Sequence, residues 1–177
     1  MADYEFNVNT PAGQTVDRKL YVVYGNAGTY EVPKWHPMGK RVEDSSAEND
    51  YGENTSTDVL GNTYGTMKTP VITQSFDPCP IDSGDEYQAK LIQLAIVEQD
   101  VRALANQDLL RVHLYLTDED GNAFAERYPS SMVRPNGPGG EGGGDLTMPV
   151  EVTFGGEREK GKAKVSGGTV TFTREGK

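Results

Sequence analysis

A mainly β domain, with one helix flanking a sheet and one long polar β arm, is the fold class this sequence predicts. Three observations carry that expectation. Short apolar runs rich in β-branched and aromatic residues recur between turn residues. One stretch, about residues 85–104, carries an apolar stripe at helical spacing. Residues 39–76, GKRVEDSSAENDYGENTSTDVLGNTYGTMKTPVITQSF, are polar, rich in Thr, Ser and acids, and broken by turn chemistry. β-like runs at 41–46, 56–60 and 69–76 are separated by Glu48-Asn49-Asp50, Gly52-Glu53-Asn54 and Gly61-Asn62. A β arm with so little private core must be completed by pairing with something else, which suits a subunit that pairs with copies of itself.

Composition narrows the function classes. The 177 residues are expected to form a single domain, 1–177, burying roughly 70% of the unfolded surface. The chain carries 27 acids against 17 bases, a net charge of −10. That balance repels phosphate and argues against wrapping nucleic acid through basic contacts. It is compatible with DNA that must slip past without adhering. Cys79 is the single cysteine, so no intrachain disulfide forms, and a reducing cytosol is the expected compartment. The N-terminus lacks the basic and apolar regions of a secretory signal, and no segment approaches the roughly 20 apolar residues of a membrane span.

Taken in order, residues 1–15 are polar, contain Pro11 and Gly13, and read as a flexible arm. Lys19-Leu20-Tyr21-Val22-Val23-Tyr24 reads as a strand covered on both faces, ended by Gly25-Asn26. Trp35 and His36 lie between Pro33 and Pro37, which argues for an edge or a bend. After the polar arm, Asp77-Pro78-Cys79-Pro80 is a rigid breaker before the helix. Ser83 and Glu86 have capping-box spacing; Tyr87, Leu91 and Leu94 mark the inner face. Glu86 with Lys90, and Glu98 with Arg102, are spaced for i,i+4 pairs on the wet side.

Residues 109–116 form the clearest strand, with Leu110, Val112, Leu114 and Leu116 on one face and His113 on the outward face. Asp118, Asp120 and Asn122 alternate as in a calcium loop. Gly121 comes one position too early and no Glu follows at the twelfth position, so a hairpin turn is expected. Residues 134–145, RPNGPGGEGGGD, are a glycine-rich loop without the Lys-Ser/Thr pair of a phosphate loop. Strands at 150–154, 162–165 and 169–173 complete the chain. Neither histidine has a motif neighbour that would make it a general base, and no His/Cys cluster has zinc spacing. The sequence thus offers no catalytic, metal or cofactor constellation, and a non-enzymatic, structural role is expected.

The order of DVLGNTYGT, FDPCPIDSGDE leading into the helix, and AERYPSSMVRPNGPGGEGGG resembles the major tail protein, the tail tube protein, of long-tailed bacteriophages of Gram-positive bacteria. The resemblance runs from about residue 20 to the C-terminus. It implies a tail-tube-like β-sandwich or small barrel with one flanking helix. It also implies self-assembly into hexameric rings stacked into a tube, located in the virion tail and assembled in the host cytoplasm. The implied partners are further copies of the chain, the tape-measure protein, and the tail terminator and tail-tip proteins. Double-stranded DNA would pass without tight binding. A non-contractile tail is the favoured kind. The family fixes no lumenal acid residue by residue; Glu43, Asp44, Glu48 and Asp58 are candidates from the arm's alternation, and Tyr51, Tyr64 and Met67 are candidates for contacts between subunits. A soluble β-sandwich binding or adhesin module, using Trp35 and the tyrosines as a stacking platform, is the alternative; it would stay monomeric.

Overall fold

The computed structural model describes residues 4–176. Of the expected N-terminal arm, residues 1–3 lie outside that range. Further along it, β1 (Asn7–Val8) pairs with a later strand, and Phe6 packs edge-on against Phe124 at 5.1 Å. A 3-10 turn, Arg18–Leu20, capped by the Asp17 carboxylate, leads into β2 (Tyr21–Asn26) and then β3 (Trp35–Pro37). β4 (Ala47–Asp50), β5 (Asn54–Thr57), β6 (Thr63–Thr66) and β7 (Val71–Phe76) make up the polar stretch. Two short helices, α1 (Glu86–Ile92) and α2 (Val101–Leu104), flank a π-helical turn, Gln93–Val97. The chain ends with β8 (Gln107–Thr117), β9 (Ala123–Pro135), β10 (Val150–Phe154), β11 (Glu159–Ser166) and β12 (Thr169–Arg174).

The fold is mainly β, as expected. Ten strands form one antiparallel sheet in the order β3-β2-β8-β9-β10-β7-β4, with β1 on β8 and the β11–β12 hairpin on β9; β5 and β6 stand apart as a separate hairpin. The long β9 serves both halves of the sheet. Its first part pairs with β8 and β11, and its last part pairs with β10. The sheet consequently folds back on itself, and a core closes between Val23, Leu109 and Tyr128 on one side and Phe76, Val150, Val152 and Phe154 on the other, sealed by Tyr87 and Leu91 of α1. The opposite face of β2 and β8 holds a second cluster, in which Tyr24, Trp35, Leu110 and Val112 pack with Ala125, Ala163 and Val170. β2 is covered on both faces, as its unbroken apolar run predicts.

β2 ends at Asn26, as expected, and Gly25 stays in the strand because a Cβ there would sit 2.1 Å from the Tyr87 ring: glycine lets α1 press against the strand backbone. Several local expectations are overturned. The single helix over 85–104 is broken. Gln99 adopts φ 53°, and Asp100 starts α2 by accepting from Arg102 N and Ala103 N. The cap of α1 is Asp85, not Ser83; it accepts from Tyr87 N and Gln88 N. The Glu86–Lys90 and Glu98–Arg102 pairs give way to longer-range partners: Glu86 faces Lys34 and His36, Lys90 donates to Asn26 O, and Glu98 accepts from Gln93. Leu91 is buried, whereas Leu94 is only half-buried.

In the polar stretch, the strand expected at 41–46 is irregular, with an isolated bridge between Asp44 and Asp77. Glu48-Asn49-Asp50, expected as a turn, lies in β4, because β7 supplies a four-residue ladder that outweighs its turn chemistry. Arg134 and Pro135, expected in the glycine-rich loop, belong to β9 and pair with Glu151 and Val150. The Asp118–Asn122 turn forms as a hairpin turn, with Asp118 accepting from Asn122 N and paired with Lys162. The lone Trp35 sits on the sheet's outermost strand, in line with its flanking prolines.

Candidate assembly surface

The β5–β6 hairpin stands apart from the main sheet and has no core of its own. From residue 48 to residue 69 every residue is exposed except Asp58, which is half-buried. Four ladder pairs, from Asn54↔Thr66 to Thr57↔Thr63, hold the two strands together, and the Lys68 N to Tyr51 O bond (2.8 Å) closes the base. The tip is set by one carboxylate. Asp58 accepts from Leu60 N (2.8 Å), Asn62 N (2.9 Å), Asn62 Nδ2 (3.0 Å) and the Tyr64 hydroxyl (3.1 Å). Those hydrogen bonds, the Asn62 side chain foremost, hold the Asp58 carboxyl below its ordinary range, so it stays anionic. Gly61, at φ 84°, supplies the left-handed position that the tight turn needs. The same turn aims Val59 and Leu60, 102% and 83% exposed, straight into solvent.

Sheet edges are the second feature. β4 pairs only with β7, β3 only with β2, and β12 only with β11. Each leaves one row of backbone donors and acceptors without a strand partner among the described residues. Glu48 and Asp50 on β4 put charge on that edge, which discourages indiscriminate pairing.

The sequence-predicted acids fall into two places. Glu43, Asp44 and Glu48 are exposed along the segment that leads into and forms β4. Glu43 lines a groove beside β2, and Glu48 lines a shallow hollow with Arg134 and Glu151. Asp58 stands apart from them at the hairpin tip, bound to the turn. Tyr51 (39% exposed), Tyr64 (57%) and Met67 (69%) lie at the base and along the hairpin. Sequence reasoning missed Val59 and Leu60. The signal was present: two aliphatic residues inside DVLGN, where turn chemistry forces outward placement.

The groove beside β2 has a volume of about 520 Å³. Val23, Met38, Val42 and Phe76 line it, and Arg18, Lys19 and Lys40 stand among its polar lining. Arg18 donates to the carbonyls of Tyr21 and Ser45 (both 2.7 Å). Lys19 and Lys40 face Asp17 and Asp82 at the surface.

Beneath these surfaces lies a buried polar cluster that ties the sheet together. Glu126 on β9 faces Arg111 (3.1 Å) and His113 (3.4 Å) on β8, and is also bonded by Arg158. Burial alone would raise the Glu126 carboxyl, but the His113 hydrogen bond and the charges of Arg111 and Arg158 outweigh it and hold the carboxyl at about 2. His113, expected to face outward, is instead enclosed by Tyr21, Tyr115 and Phe124. Trp35, the intended stacking platform of a binding module, is buried with Arg127 over its ring. Cys79 is buried, accepts weakly from Gln88 Nε2, and burial pushes its thiol up, which disfavours the thiolate. Among the described residues, no three His, Cys, Asp or Glu side chains are placed to hold a metal ion, and no helix is long and apolar enough to cross a membrane.

No protein-family model matches the sequence, and a search of curated proteins returns no match. Among solved structures, the chain is similar to the sheath/tube terminator of an extracellular contractile injection system in its extended state, with 10% identity and a TM-score of 0.48 over 85% of this chain and 99% of that one. It is also similar to the tube-terminating cap of the anti-feeding prophage, at 12% identity and a TM-score of 0.46 over 94% of this chain and 96% of the cap. A third likeness is to a chain of the injection system's sheath–tube complex, at 8% identity and a TM-score of 0.47 over 93% of this chain and 95% of that one.

Proposed function

We propose that this chain is the structural subunit of a phage-type tail tube, assembling into hexameric rings that stack around a tape-measure protein. Terminator and tip proteins would close the two ends, and DNA would later pass through the lumen without tight binding. One observation carries the reading: a formed hairpin with no core of its own, exposed along its length. An isolated two-stranded hairpin is marginal in water, so contact with another chain is its natural completion. The open edge of β4 offers backbone groups for the same purpose. The sequence resemblance supplies the architecture, and the net charge of −10 suits a conduit for DNA. Glu43, Asp44 and Glu48, along the segment that leads into and forms β4, and Asp58 at the hairpin tip are the lumenal candidates.

The alternative, a carbohydrate-binding or adhesin module, loses its best platform with Trp35 buried. Analytical ultracentrifugation over a concentration series, with negative-stain microscopy of the concentrated protein, separates the two. Rings or hollow tubes are expected. A strictly monomeric species, even after adding tail-tip or tape-measure nuclei, overturns the assembly reading.

A further inference from the structure

The hairpin tip is apolar on an acidic hairpin and the groove beside β2 is apolar with a basic rim, yet they do not meet within the subunit. The tip is an apolar knob on a hydrogen-bonded turn. Its turn is closed by Asp58 N to Asn62 O and Gly61 N to Asp58 O, and its carboxylate holds Leu60 N and Asn62 N. Those bonds turn Val59 and Leu60 outward together at the end of the hairpin. Single exposed aliphatic residues are ordinary, but here two adjacent ones end a projection that has no other packing.

The groove is an apolar hole. Val23 and Phe76 on its floor belong to the main core, so its shape is held from beneath, and Val42 half-covers it from the β3–β4 connection. Charge favours the same pairing. Between residues 47 and 69 the hairpin and its root carry Glu48, Asp50, Glu53 and Asp58 against Lys68 alone. The groove lining carries Arg18, Lys19 and Lys40 against Glu43. Lys19 and Lys40 are paired with Asp17 and Asp82, whereas Arg18 has no carboxylate partner among the described residues.

Resting on the assembly reading, we propose that Val59 and Leu60 of one subunit seat in this groove on a second copy of the chain, with Asp58 facing Arg18. Knob and hole lie on different parts of the subunit, so each copy both gives and receives. Such a head-to-tail contact propagates around a ring or along a stack instead of closing as a two-fold dimer.

The test is a cross-link in a Cys79→Ser background. Assembled protein carrying both Val59→Cys and Val42→Cys should give a ladder of covalent multimers on mild oxidation. Either cysteine alone should stop at dimers. Particles that assemble normally but give no ladder place the knob elsewhere and overturn the proposal while sparing the assembly reading. A parent chain that never assembles defeats both. A second variant, Val59→Asn with Leu60→Asn, alters side chains that are 102% and 83% exposed in the monomer. It should leave thermal unfolding of the monomer unchanged and raise the critical concentration for assembly at least about tenfold. An unchanged critical concentration overturns the proposal.

Discussion

The β8–β9 pair and the β5–β6 hairpin are both antiparallel ribbons closed by an Asp-to-Asn turn, and they are stabilised in opposite ways. In each, an aspartate accepts from the backbone N–H of an asparagine four residues on: Asp118 from Asn122, Asp58 from Asn62. In the first, both faces are covered, and even charged side chains such as Arg111 and Glu126 are buried in mutual contact. In the second, no side chain is buried. The same turn chemistry closes both hairpins, and burial distinguishes the one that carries the fold from the one that stands clear of it. Substitutions in the first ribbon should act on folding, and substitutions in the second on association.

The largest effect on folding is expected from Glu126→Ala, which leaves Arg111 and His113 facing a vacated buried site. Removing one partner of a buried pair costs about 3–5 kcal/mol, read as a lowered urea midpoint. A loss below about 1 kcal/mol would show that water reaches the cluster and that the two ribbons are less different than drawn. Leu91→Ala, at 1% exposure between α1 and the sheet, should cost about 2–5 kcal/mol by the same measurement. Next comes a pH dependence. The Glu126 carboxyl lies at about 2 in the folded protein against an ordinary 4.5, so its contribution is complete above about pH 4.5 and is lost as pH falls toward 2. Unfolding of the parent and of Glu126→Gln should therefore differ most near neutrality and converge, by an amount on the order of 3 kcal/mol, across that window. A gap that stays constant down to pH 2 assigns the linkage to other carboxylates.

The legibility of the sequence follows the same division. β10 and β12 were readable because alternation and flanking turns agreed with the final burial, and β8 was readable as a strand although both of its faces are covered. The Gly61-Asn62 turn was readable because its chemistry is local. What failed was set at a distance. The ladder from β7 made β4 out of a turn-like Glu48-Asn49-Asp50. Tyr21 and Phe124 enclosed a histidine that alternation placed outside. The helix break at Gln99 left no trace in composition, since glutamine is an ordinary helix former. In the candidate surface, the lack of a private core was legible from polarity, whereas the groove was not, because residues far apart in sequence line it.

At the small end of the scale, Tyr51→Ala, Tyr64→Ala and Met67→Ala together should change monomer stability by no more than about 0.5 kcal/mol, yet abolish ring or tube formation in negative stain. Particles indistinguishable from the parent would remove these three residues from the assembly surface. Reversing Glu43, Asp44 and Glu48 to lysine should likewise spare folding. In phage particles it should slow DNA ejection at low salt, with recovery at high salt, because phosphate contacts weaken steeply as salt rises. Ejection unchanged at every salt would move these acids away from the lumen.

The rooting of the hairpin in β4 and β7 has a mechanical consequence. Tension entering through the hairpin reaches both strands at the same end, at the Asp50↔Val71 pair. Both strands are then drawn in the same direction, and their mutual pairing carries no load. The load passes to the next ladder, where five register pairs from Val150↔Phe76 to Phe154↔Ile72 join β7 to β10. There the pull runs along the strand axes, so those pairs resist together in shear instead of opening one after another. A subunit gripped by its exposed hairpin would thus transmit force into its main sheet through the ladder best arranged to bear it.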